Sequence, residues 1–398
     1  MRYARLLWNL FAMKRNEKKS REQMKELQEQ KLRKMLAFAY ENSPYYRRAF
    51  EAAGLDRRTV TTAPLSSFPK MDKALLMEHF DSLLTVKDLK QEELRRFDAE
   101  TSIEEKTFKG TYHVVHSSGS TGKPGYFIYD PFAWDFMITG MLRAALWGMS
   151  MGEIFRFLVK GPRILYVAAT DGRYGGAMAV GDGIDGVGAK QLFLDVKTPL
   201  PEWIEKIRAF KPNMVVGYPS AIKILGELEQ KGSIHLQVQR IVSCGEPLGA
   251  SLRQYLEQTF HAVVLNYYGA SESLALGVEM SGEAGMSLFD DMNVIEAEED
   301  AIYLTCLYNF AQPVIRYRIS DRLMVLPEKD GGAGPFTRVK SIEGRSEDLL
   351  WFENSAGVRE FLHPLAVEGF CVEGLIDYQF RHLGADAFEM RAEVSGKE

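Results

Sequence analysis

The stretch HSSGSTGKPGYFIYD, from His116 to Asp130, holds the residue types that point most directly to chemistry. Its serine, threonine and glycine residues can present successive N–H groups and hydroxyls to an anion, and Lys123 adds an ammonium group. The stretch departs from a Walker A loop, because Ser117 and Pro124 replace the first glycine and the magnesium-binding Ser/Thr. The flanking TYHVV and YFIYD segments predict strands. The loop therefore joins a β-hairpin, which either binds phosphates or is a plain surface turn.

Other catalytic templates are weak or missing in this sequence. GDGIDG, Gly181–Gly186, matches the dinucleotide-binding pattern, but Asp182 and Asp185 would repel a pyrophosphate and no β-branched strand precedes it. We interpret it as an ordinary turn or helix, which disfavours a dinucleotide oxidoreductase. No G-x-S-x-G surrounds a serine, and the seven histidines lack metal-ligand spacing.

The composition is that of a globular enzyme. The 398 residues are 46% hydrophobic and 26% charged, and the net charge of −5 argues against a nucleic-acid partner. No apolar run reaches bilayer length, and the N-terminus has no signal-peptide order. Three widely spaced cysteines, Cys244, Cys306 and Cys371, are typical of a reduced protein, so we expect a cytoplasmic location.

Three regions differ in hydrophobic pattern. Residues 1–110 predict helices and loops, and residues from about 160 to 270 alternate short apolar runs with amphipathic helices. This alternation predicts a parallel sheet covered by helices. After residue 300, AIYLTCLY, PVIRYRIS and RLMVLPE predict antiparallel strands of a smaller, barrel-like β subdomain. The expected fold class is therefore α/β.

Three turn motifs follow predicted strands of the parallel sheet. They are GYPS (Gly217–Ser220), CGEP (Cys244–Pro247) and YYGASES (Tyr267–Ser273). Ligands of open parallel sheets bind beyond the carboxyl ends of the strands. We therefore expect all three motifs to line one edge of the sheet.

Five segments resemble, in the same order, the core motifs of adenylate-forming enzymes, in particular the phenylacetate–CoA ligase family. They are SSGSTGKP, CGEP, NYYGASES, PVIRYRISD and EGRSEDLL. RKMLAFAYENSPYYRRAFEAAGL is similar to the family's opening helices, so the resemblance covers about residues 30–350. It implies a large N-terminal domain, 1–344, with α/β sheet subdomains and the small β subdomain. A short or truncated C-terminal domain, 345–398, would follow.

The resemblance also implies residue roles. The ATP phosphates would be bound by Ser117, Ser118, Gly119, Ser120, Thr121, Gly122 and Lys123. Lys123 would also act in catalysis. The nucleotide pocket would be lined by Gly245, Glu246, Pro247, Tyr267, Tyr268, Gly269, Ala270 and Ser271. Glu272 would hold Mg²⁺ and act in catalysis, and Asp321 would bind the ribose hydroxyls. Arg345 would begin the interdomain hinge, contact the nucleotide and act in catalysis. Tyr218, Pro219 and Ser220 would lie beside the acid.

Each of these residues also has a structural interpretation. Glu272 could be an acid at the start of a helix, Asp321 a turn-stabilising aspartate and Arg345 a solvated surface charge. Tyr166, Tyr174 and Tyr218, with Gly175–Gly176, could frame a flat pocket for an aryl acid, although aromatic residues near strand ends are more often core.

The implied function is ATP-dependent adenylation of a small carboxylic acid, followed by transfer to CoA or a carrier protein. Two departures qualify it. Glu347 stands where the family's hinge has Asp, and Lys397 is the one lysine in the 54 residues from Arg345 to Glu398, whereas related enzymes use a C-terminal lysine on the carboxylate. The alternative is a non-catalytic nucleotide-binding or carrier-docking homologue. The sequence leaves a homodimer open.

The N-terminus is basic, with eleven Lys/Arg and four Asp/Glu in the first 34 residues. Beside Leu6, Leu7, Trp8, Leu10 and Phe11, these charges suit an anionic membrane. We expect instead an amphipathic helix that packs on the body with its charges in water.

Overall fold

The structure is a computed structural model that describes residues 2–100, 107–117, 125–169, 189–299, 301–327, 334–345, 350–353, 359–362, 375–384 and 387–394. Of the sequence-based predictions, Ser118–Pro124, Tyr174, Gly175–Gly176, GDGIDG, Glu347, Cys371 and Lys397 lie outside these residues.

Helices dominate the first hundred residues, as the sequence predicts. They are α1 (Arg2–Asn16), α2 (Arg21–Asn42), α3 (Pro44–Ala52), α4 (Lys73–Glu78), α5 (Phe80–Leu83) and α6 (Gln91–Glu100). Ser20 starts α2 in a capping box with Gln23. Ser43 ends α2 and caps α3, and Pro44 occupies the first turn of α3, where a missing N–H costs nothing.

A two-stranded hairpin follows, formed by β1 (His113–His116) and β2 (Tyr126–Tyr129). The strands are antiparallel, and His116 lies opposite Tyr126. The hairpin predicted around the glycine-rich loop is therefore confirmed.

A nine-stranded mixed sheet forms the centre of the chain. Its helices are α7 (Pro131–Ala145), α8 (Met151–Val159), α9 (Leu200–Phe210), α10 (Pro219–Gln230) and α11 (Ala250–Phe260). Its first seven strands are β3 (Arg163–Ala168), β4 (Lys190–Asp195), β5 (Met214–Gly217), β6 (Arg240–Ser243), β7 (Val263–Ala270), β8 (Ser273–Met280) and β9 (Met286–Leu288). Strands β4, β3, β5, β6 and β7 are parallel neighbours, whereas β8 and β9 continue antiparallel. The predicted strand–helix alternation is confirmed.

The smaller β region differs from the prediction in one strand. A three-stranded antiparallel sheet contains β10 (Asn293–Ala297), β11 (Ile302–Cys306) and β12 (Tyr317–Ile319). Strand β13 (Asp321–Val325) instead pairs with β14 (Arg338–Arg345) at the edge of the large sheet. The assignment of RLMVLPE to the small sheet is therefore wrong. Local apolar pattern identifies a strand, but pairing decides its sheet.

Two further hairpins lie in the C-terminal part. They pair β15 (Leu350–Glu353) with β16 (Arg359–Leu362), and β17 (Leu375–Gly384) with β18 (Ala387–Val394). The domain border expected after residue 344 falls at the last residues of β14 and stays a prediction.

Asp291 ties the N-terminal helices to the core. Its fully buried carboxylate accepts two hydrogen bonds from Arg143 Nη1, at 3.0 and 2.8 Å, and one from Asn16 Nδ2 at 2.9 Å. Lys31 Nζ donates to its carbonyl oxygen at 2.6 Å. Burial alone would raise the pKa of Asp291, but Arg143 and Lys31 hold that pKa below its ordinary value.

Candidate active site

The three turn motifs meet at one edge of the large sheet. Strands β5, β6 and β7 are adjacent and parallel, and their register aligns Gly217 with Ser243 and Ser243 with Asn266. GYPS, CGEP and YYGASES therefore leave the same side of three neighbouring strands. The predicted shared edge is confirmed.

GYPS and CGEP form one continuous wall. The backbone N–H of Ser220 donates to Glu246 Oε2 at 3.2 Å. Gly245 has φ of +80°, and a Cβ there would lie 2.6 Å from Tyr218 Cε1. The tyrosine ring thus packs directly on the Gly245 backbone, in a conformation that favours glycine. Pro219 is buried in the first turn of α10, and Pro247 is exposed.

Behind this wall lies a cluster of aromatic residues around Cys244. The thiol of Cys244 interacts electrostatically with Tyr166 and Tyr267, and Tyr166 also with Tyr218. Burial, followed by the charge of Glu246, raises the pKa of Cys244 to about 12. The thiol therefore stays protonated at neutral pH and is a packing residue rather than a nucleophile.

The turn between β7 and β8 carries the acidic end of YYGASES. The hydroxyl of Tyr267 donates to the carbonyl of Leu274, and a Cβ at Gly269 would lie 2.4 Å from that carbonyl oxygen. Ala270 pairs with Ser273 across the turn, which leaves Ser271 and Glu272 at its tip. The helix-start interpretation of Glu272 is therefore wrong.

This turn lies against the base of the glycine-rich hairpin. Tyr129 donates to the carbonyl of Ser271 at 3.0 Å, and the Ser271 hydroxyl donates to the carbonyl of His116 at 3.4 Å. At the loop base, Ser117 Oγ accepts from the N–H of Gly125 at 2.9 Å, and the Ser117 N–H donates to Gly125 oxygen at 2.9 Å. The segment predicted to bind phosphates thus begins and ends beside Glu272.

Glu272 is a partly buried carboxyl with a raised pKa. Burial and the nearby charge of Asp321 raise this pKa to about 7, against an ordinary value of 4.5, although a hydrogen bond from Tyr317 and the charge of Lys73 lower it. Tyr317 itself is buried, and its pKa is raised by burial and by Glu272. The site therefore contains a carboxyl that a bound cation would ionise.

Lys73 is a candidate site residue that the sequence analysis missed. It is the first residue of α4, whose N-cap Asp72 accepts from the N–H of Leu75 at 2.9 Å. Lys73 Cε lies 3.5 Å from the position of a Cβ built on Gly125. The chain thus brings a cation from residue 73 to the glycine-rich loop, and no local motif in PKMDKALL signals this.

Asp321 lies at the start of β13, next to the turn. The buried Tyr268 donates its hydroxyl to Asp321 Oδ2 at 2.6 Å, which orients the carboxylate. In the ladder between β13 and β14, Asp321 is the partner of Arg345. Only the backbone of Arg345 is described, so its predicted hinge and nucleotide roles stay predictions.

The residues present fit a magnesium ion. Within the described ranges, no group of three or more His, Cys, Asp or Glu side chains could hold a metal by itself. Mg²⁺ in nucleotide enzymes usually takes one or two protein carboxylates together with phosphate oxygens and waters. Glu272 would be that carboxylate, since a cation would offset the repulsion from Asp321.

Comparison with curated proteins gives relatives over most of the chain. It is 29% identical to the phenylacetate-coenzyme A ligase of Escherichia coli K12 over 354 residues, which cover 83% of this chain and 72% of the relative. The enzymes of the same name from Aromatoleum evansii and Thermus thermophilus are 26% and 25% identical and cover 84% and 94% of this chain, and 73% and 82% of their own lengths. No family model matches the chain.

Among solved structures, 2-hydroxyisobutyryl-CoA ligase in the postadenylation state, in complex with R3-HIB-AMP, superposes with a TM-score of 0.73 at 19% identity. The match covers 96% of this chain and 80% of the ligase. A structure of the same ligase with 2-HIB-AMP and CoA gives 0.63. These matches confirm the α/β adenylate-forming fold. Together with the curated relatives they confirm the resemblance to phenylacetate–CoA ligases, and these relatives have the enzyme class expected from the sequence, that of an acid–thiol ligase.

Proposed function

We propose that this chain, which is similar to phenylacetate–CoA ligases over most of its length, activates a carboxylic acid with ATP and passes the acyl group to coenzyme A. The observation that carries this is the meeting of four groups at one sheet edge. They are the base of the glycine-rich hairpin, Glu272, Asp321 and the wall of Tyr218 and Glu246. This arrangement suits a nucleotide whose phosphates, sugar and base are each contacted by a different segment.

The nucleotide would lie along the ends of β6 and β7. Asp321, oriented by Tyr268, would accept hydrogen bonds from the two ribose hydroxyls. The adenine would lie against Gly245 and Glu246, and the triphosphate would reach the hairpin loop at Ser117. Such contacts fix the α-phosphate relative to the acid and so lower the entropic part of the barrier.

The acid would lie beside Tyr218 and Ser220. One carboxylate oxygen attacks the α-phosphorus, the bond to the bridging oxygen breaks, and pyrophosphate leaves. In the second half-reaction, the CoA sulfur attacks the acyl carbon and AMP leaves. Both steps concentrate negative charge, which N–H groups and cations near the site stabilise without covalent catalysis.

Two residues of this chain would help to stabilise that negative charge. Lys73, next to the loop base, would place its ammonium near the phosphates. Glu272 would hold Mg²⁺, which when bound polarises the phosphoryl oxygens and neutralises charge on the leaving pyrophosphate. Tyr317 would keep the carboxylate of Glu272 oriented by its hydrogen bond.

The acid itself stays open. The curated relatives are named for phenylacetate and the structural neighbour for 2-hydroxyisobutyrate. Tyr166 lies within β3, two residues before the strand ends, and Tyr218 directly follows β5. The two tyrosines interact electrostatically, and their aromatic rings favour a flat aromatic acid. A cytoplasmic location, a carrier-protein acceptor and a homodimer stay predictions.

Exchange of labelled pyrophosphate into ATP tests the first half-reaction. We expect exchange that depends on a carboxylic acid when aryl acetates, benzoates and short hydroxy acids are each added with Mg²⁺. CoA should then convert the active acid to its thioester with release of AMP. Absence of exchange with every acid, from folded protein that binds AMP, would contradict the proposal.

That outcome would favour the non-catalytic nucleotide-binding alternative. The two candidates differ in one measurement, because both bind AMP and only the enzyme forms an acyl-adenylate.

A further inference from the structure

Helix α1 has an apolar face on each side. Leu6, Leu10 and Met13 are buried and belong to the main core. On the opposite side, the exposed fractions are 73% for Trp8, 56% for Leu7, 52% for Phe11 and 43% for Tyr3. Tyr3, Leu7 and Phe11 are spaced by four residues, so they lie in one row along the helix, with Trp8 beside it. A surface helix ordinarily has polar residues on its outward face.

We call Tyr3, Leu7, Trp8 and Phe11 the α1 outer face. Phe132, in the first turn of α7, is 68% exposed and lies next to α1, because the guanidinium of Arg5 is 4.6 Å from the centre of its ring. Five large apolar side chains are therefore exposed close together, which marks an interaction surface.

The helix is fastened to the body of the protein. Arg2 Nε donates to Asp135 Oδ1 at 2.8 Å and Arg5 Nε donates to Asp135 Oδ2 at 2.8 Å, and Asp135 is buried in α7. At the other end, Asn16 Nδ2 donates to Oδ2 of the buried Asp291 at 2.9 Å. The α1 outer face is thus presented by a fixed helix.

The sequence around this face is basic. Residues 1–19 contain six basic residues and one acidic residue, Glu17, although the whole chain has a net charge of −5. Arg2, Arg5 and Lys14 pair with carboxylates. Arg15, in the last turn of α1, and Lys18, just beyond the helix, are exposed. Apolar side chains flanked by cations on a helix fit a surface that is apolar inside and anionic outside.

We propose that α1 docks this protein on an anionic membrane surface, with Leu7, Trp8 and Phe11 inserted at the level of the lipid head groups. A second copy of the chain fits less well, since a symmetric contact through α1 would bring its basic residues together. The packing on the body expected from the sequence is also present. The inner face provides that packing, and the outer face remains available to lipid.

Vesicle flotation of the full-length chain tests this proposal. We expect binding to phosphatidylcholine vesicles that contain about a third phosphatidylglycerol, with weak binding to pure phosphatidylcholine and release at high salt. Trp8 fluorescence should shift to the blue on binding. The triple variant Leu7→Ser, Trp8→Ser, Phe11→Ser should bind at least about tenfold more weakly, since it removes most of the inserted apolar area.

A matched control removes exposed apolar residues elsewhere. Phe155 and Val159 of α8 are each 69% exposed, and the variant Phe155→Ser, Val159→Ser should bind vesicles like the parent. Both variants should keep the parent's circular dichroism and acid-dependent pyrophosphate exchange, because neither touches the site. Arg15→Ala, Lys18→Ala should weaken binding to anionic vesicles several-fold.

Three results would overturn the proposal. They are no binding of the parent to anionic vesicles, binding that the α1 variant leaves unchanged, and self-association in ultracentrifugation that the α1 variant abolishes. The last result would assign the face to a second copy of the chain.

Discussion

The carboxyl group of Glu272 is affected by burial and by a second carboxylate, and a bound Mg²⁺ would act on the same group. Its folded-state pKa of about 7 is higher than the ordinary 4.5, so the folded chain favours the protonated form. That preference stabilises the fold fully below pH 4.5 and is lost as the pH rises through 7. Binding of Mg²⁺ requires the opposite, ionised form.

We therefore expect the affinity for Mg·ATP to fall about tenfold for each pH unit below 7. Glu272→Gln should bind Mg·ATP weakly, with a flat pH profile. Without ligand, the free energy of unfolding of Glu272→Gln, relative to that of the parent, should rise by about 3 kcal/mol as the pH is raised from 4.5 to 8. Titration calorimetry and urea unfolding at several pH values measure both effects. A parent whose Mg·ATP affinity is constant from pH 6 to 8 would contradict this assignment.

Asp321 offers a second test at the scale of one residue. Asp321→Ala should weaken AMP binding by about 1.5–3 kcal/mol, because charge-assisted bonds to the ribose hydroxyls are lost. Tyr268→Phe removes the hydroxyl that orients Asp321, and we expect a smaller loss of about 1 kcal/mol.

Calorimetry with AMP measures both losses. Glu41→Ala is the control, since it removes an exposed carboxylate that pairs with the exposed Arg57. Equal AMP affinity in Asp321→Ala and the parent would remove Asp321 from the site.

Site residues were predictable from sequence where a local motif carries them. The five ordered motifs indicated Glu272, Asp321 and Gly245, which the structure places at one edge. Lys73 was not predictable, since it reaches the loop base through tertiary packing that leaves no spacing signal in the sequence. Tyr317 is similar, because it belongs to the other β-sheet and meets Glu272 in space.

At the scale of elements, the β6–α11 connection depends on the backbone of Gly245. Gly245→Ala would place a Cβ 2.6 Å from Tyr218 Cε1 at φ of +80°. We expect a cost of about 1–2 kcal/mol in stability and a displaced Tyr218 ring. The KM for the acid should rise by about tenfold, because Tyr218 would lie beside it.

Steady-state kinetics and thermal unfolding check this prediction. Gly152→Ala in α8 is the control, since a Cβ there meets nothing within 4 Å, and its KM should equal that of the parent. If Gly245→Ala also keeps the parent's KM, the wall of Tyr218 does not contact the acid.

Elements differed in how far their sequence determines them. The parallel strands β3, β5, β6 and β7 were predictable, since buried strands are short apolar runs bounded by turns. The partner of β13 was not predictable. A single residue, Ser320, separates it from β12, yet the two strands join different sheets. Pairing with a strand distant in sequence decides which sheet β13 joins, and the local apolar pattern does not encode that pairing.

At the scale of the whole molecule, the buried Arg143–Asp291 pair connects α1, α2 and α7 to the sheets. Arg143→Met would leave the carboxylate of Asp291 buried without its main partner, so we expect a loss of about 3–5 kcal/mol in the free energy of unfolding. The double variant Arg143→Met, Asp291→Asn should lose less than the sum of its single changes.

Urea unfolding measures these losses. Arg57→Met breaks an exposed pair with Glu41 and should change stability by less than about 0.5 kcal/mol. Strict additivity in the double variant would show that the pair does not act as a unit.

Two lysines, Lys73 and Lys397, are competing candidates for catalysis. We expect Lys73→Met to slow pyrophosphate exchange by about 10–100-fold, because it removes a fixed charge beside the phosphate loop. Lys397→Met should leave exchange unchanged, because Lys73 already places a charge beside the loop base. The reverse result would give the role to Lys397.

The order of β5, β6 and β7 in the sheet has a consequence for evolution and redesign. Under the proposed function each strand end has one task, and neighbouring strands lie about 4.8 Å apart, so the sheet would set the spacing between the acid, base and phosphate positions. Changes at Tyr218 or Ser220 would then alter the contacts to the acid without moving the strand ends proposed to contact ATP. New substrates would therefore be accessible through side chains at one strand end, while the distance between the reacting atoms is kept.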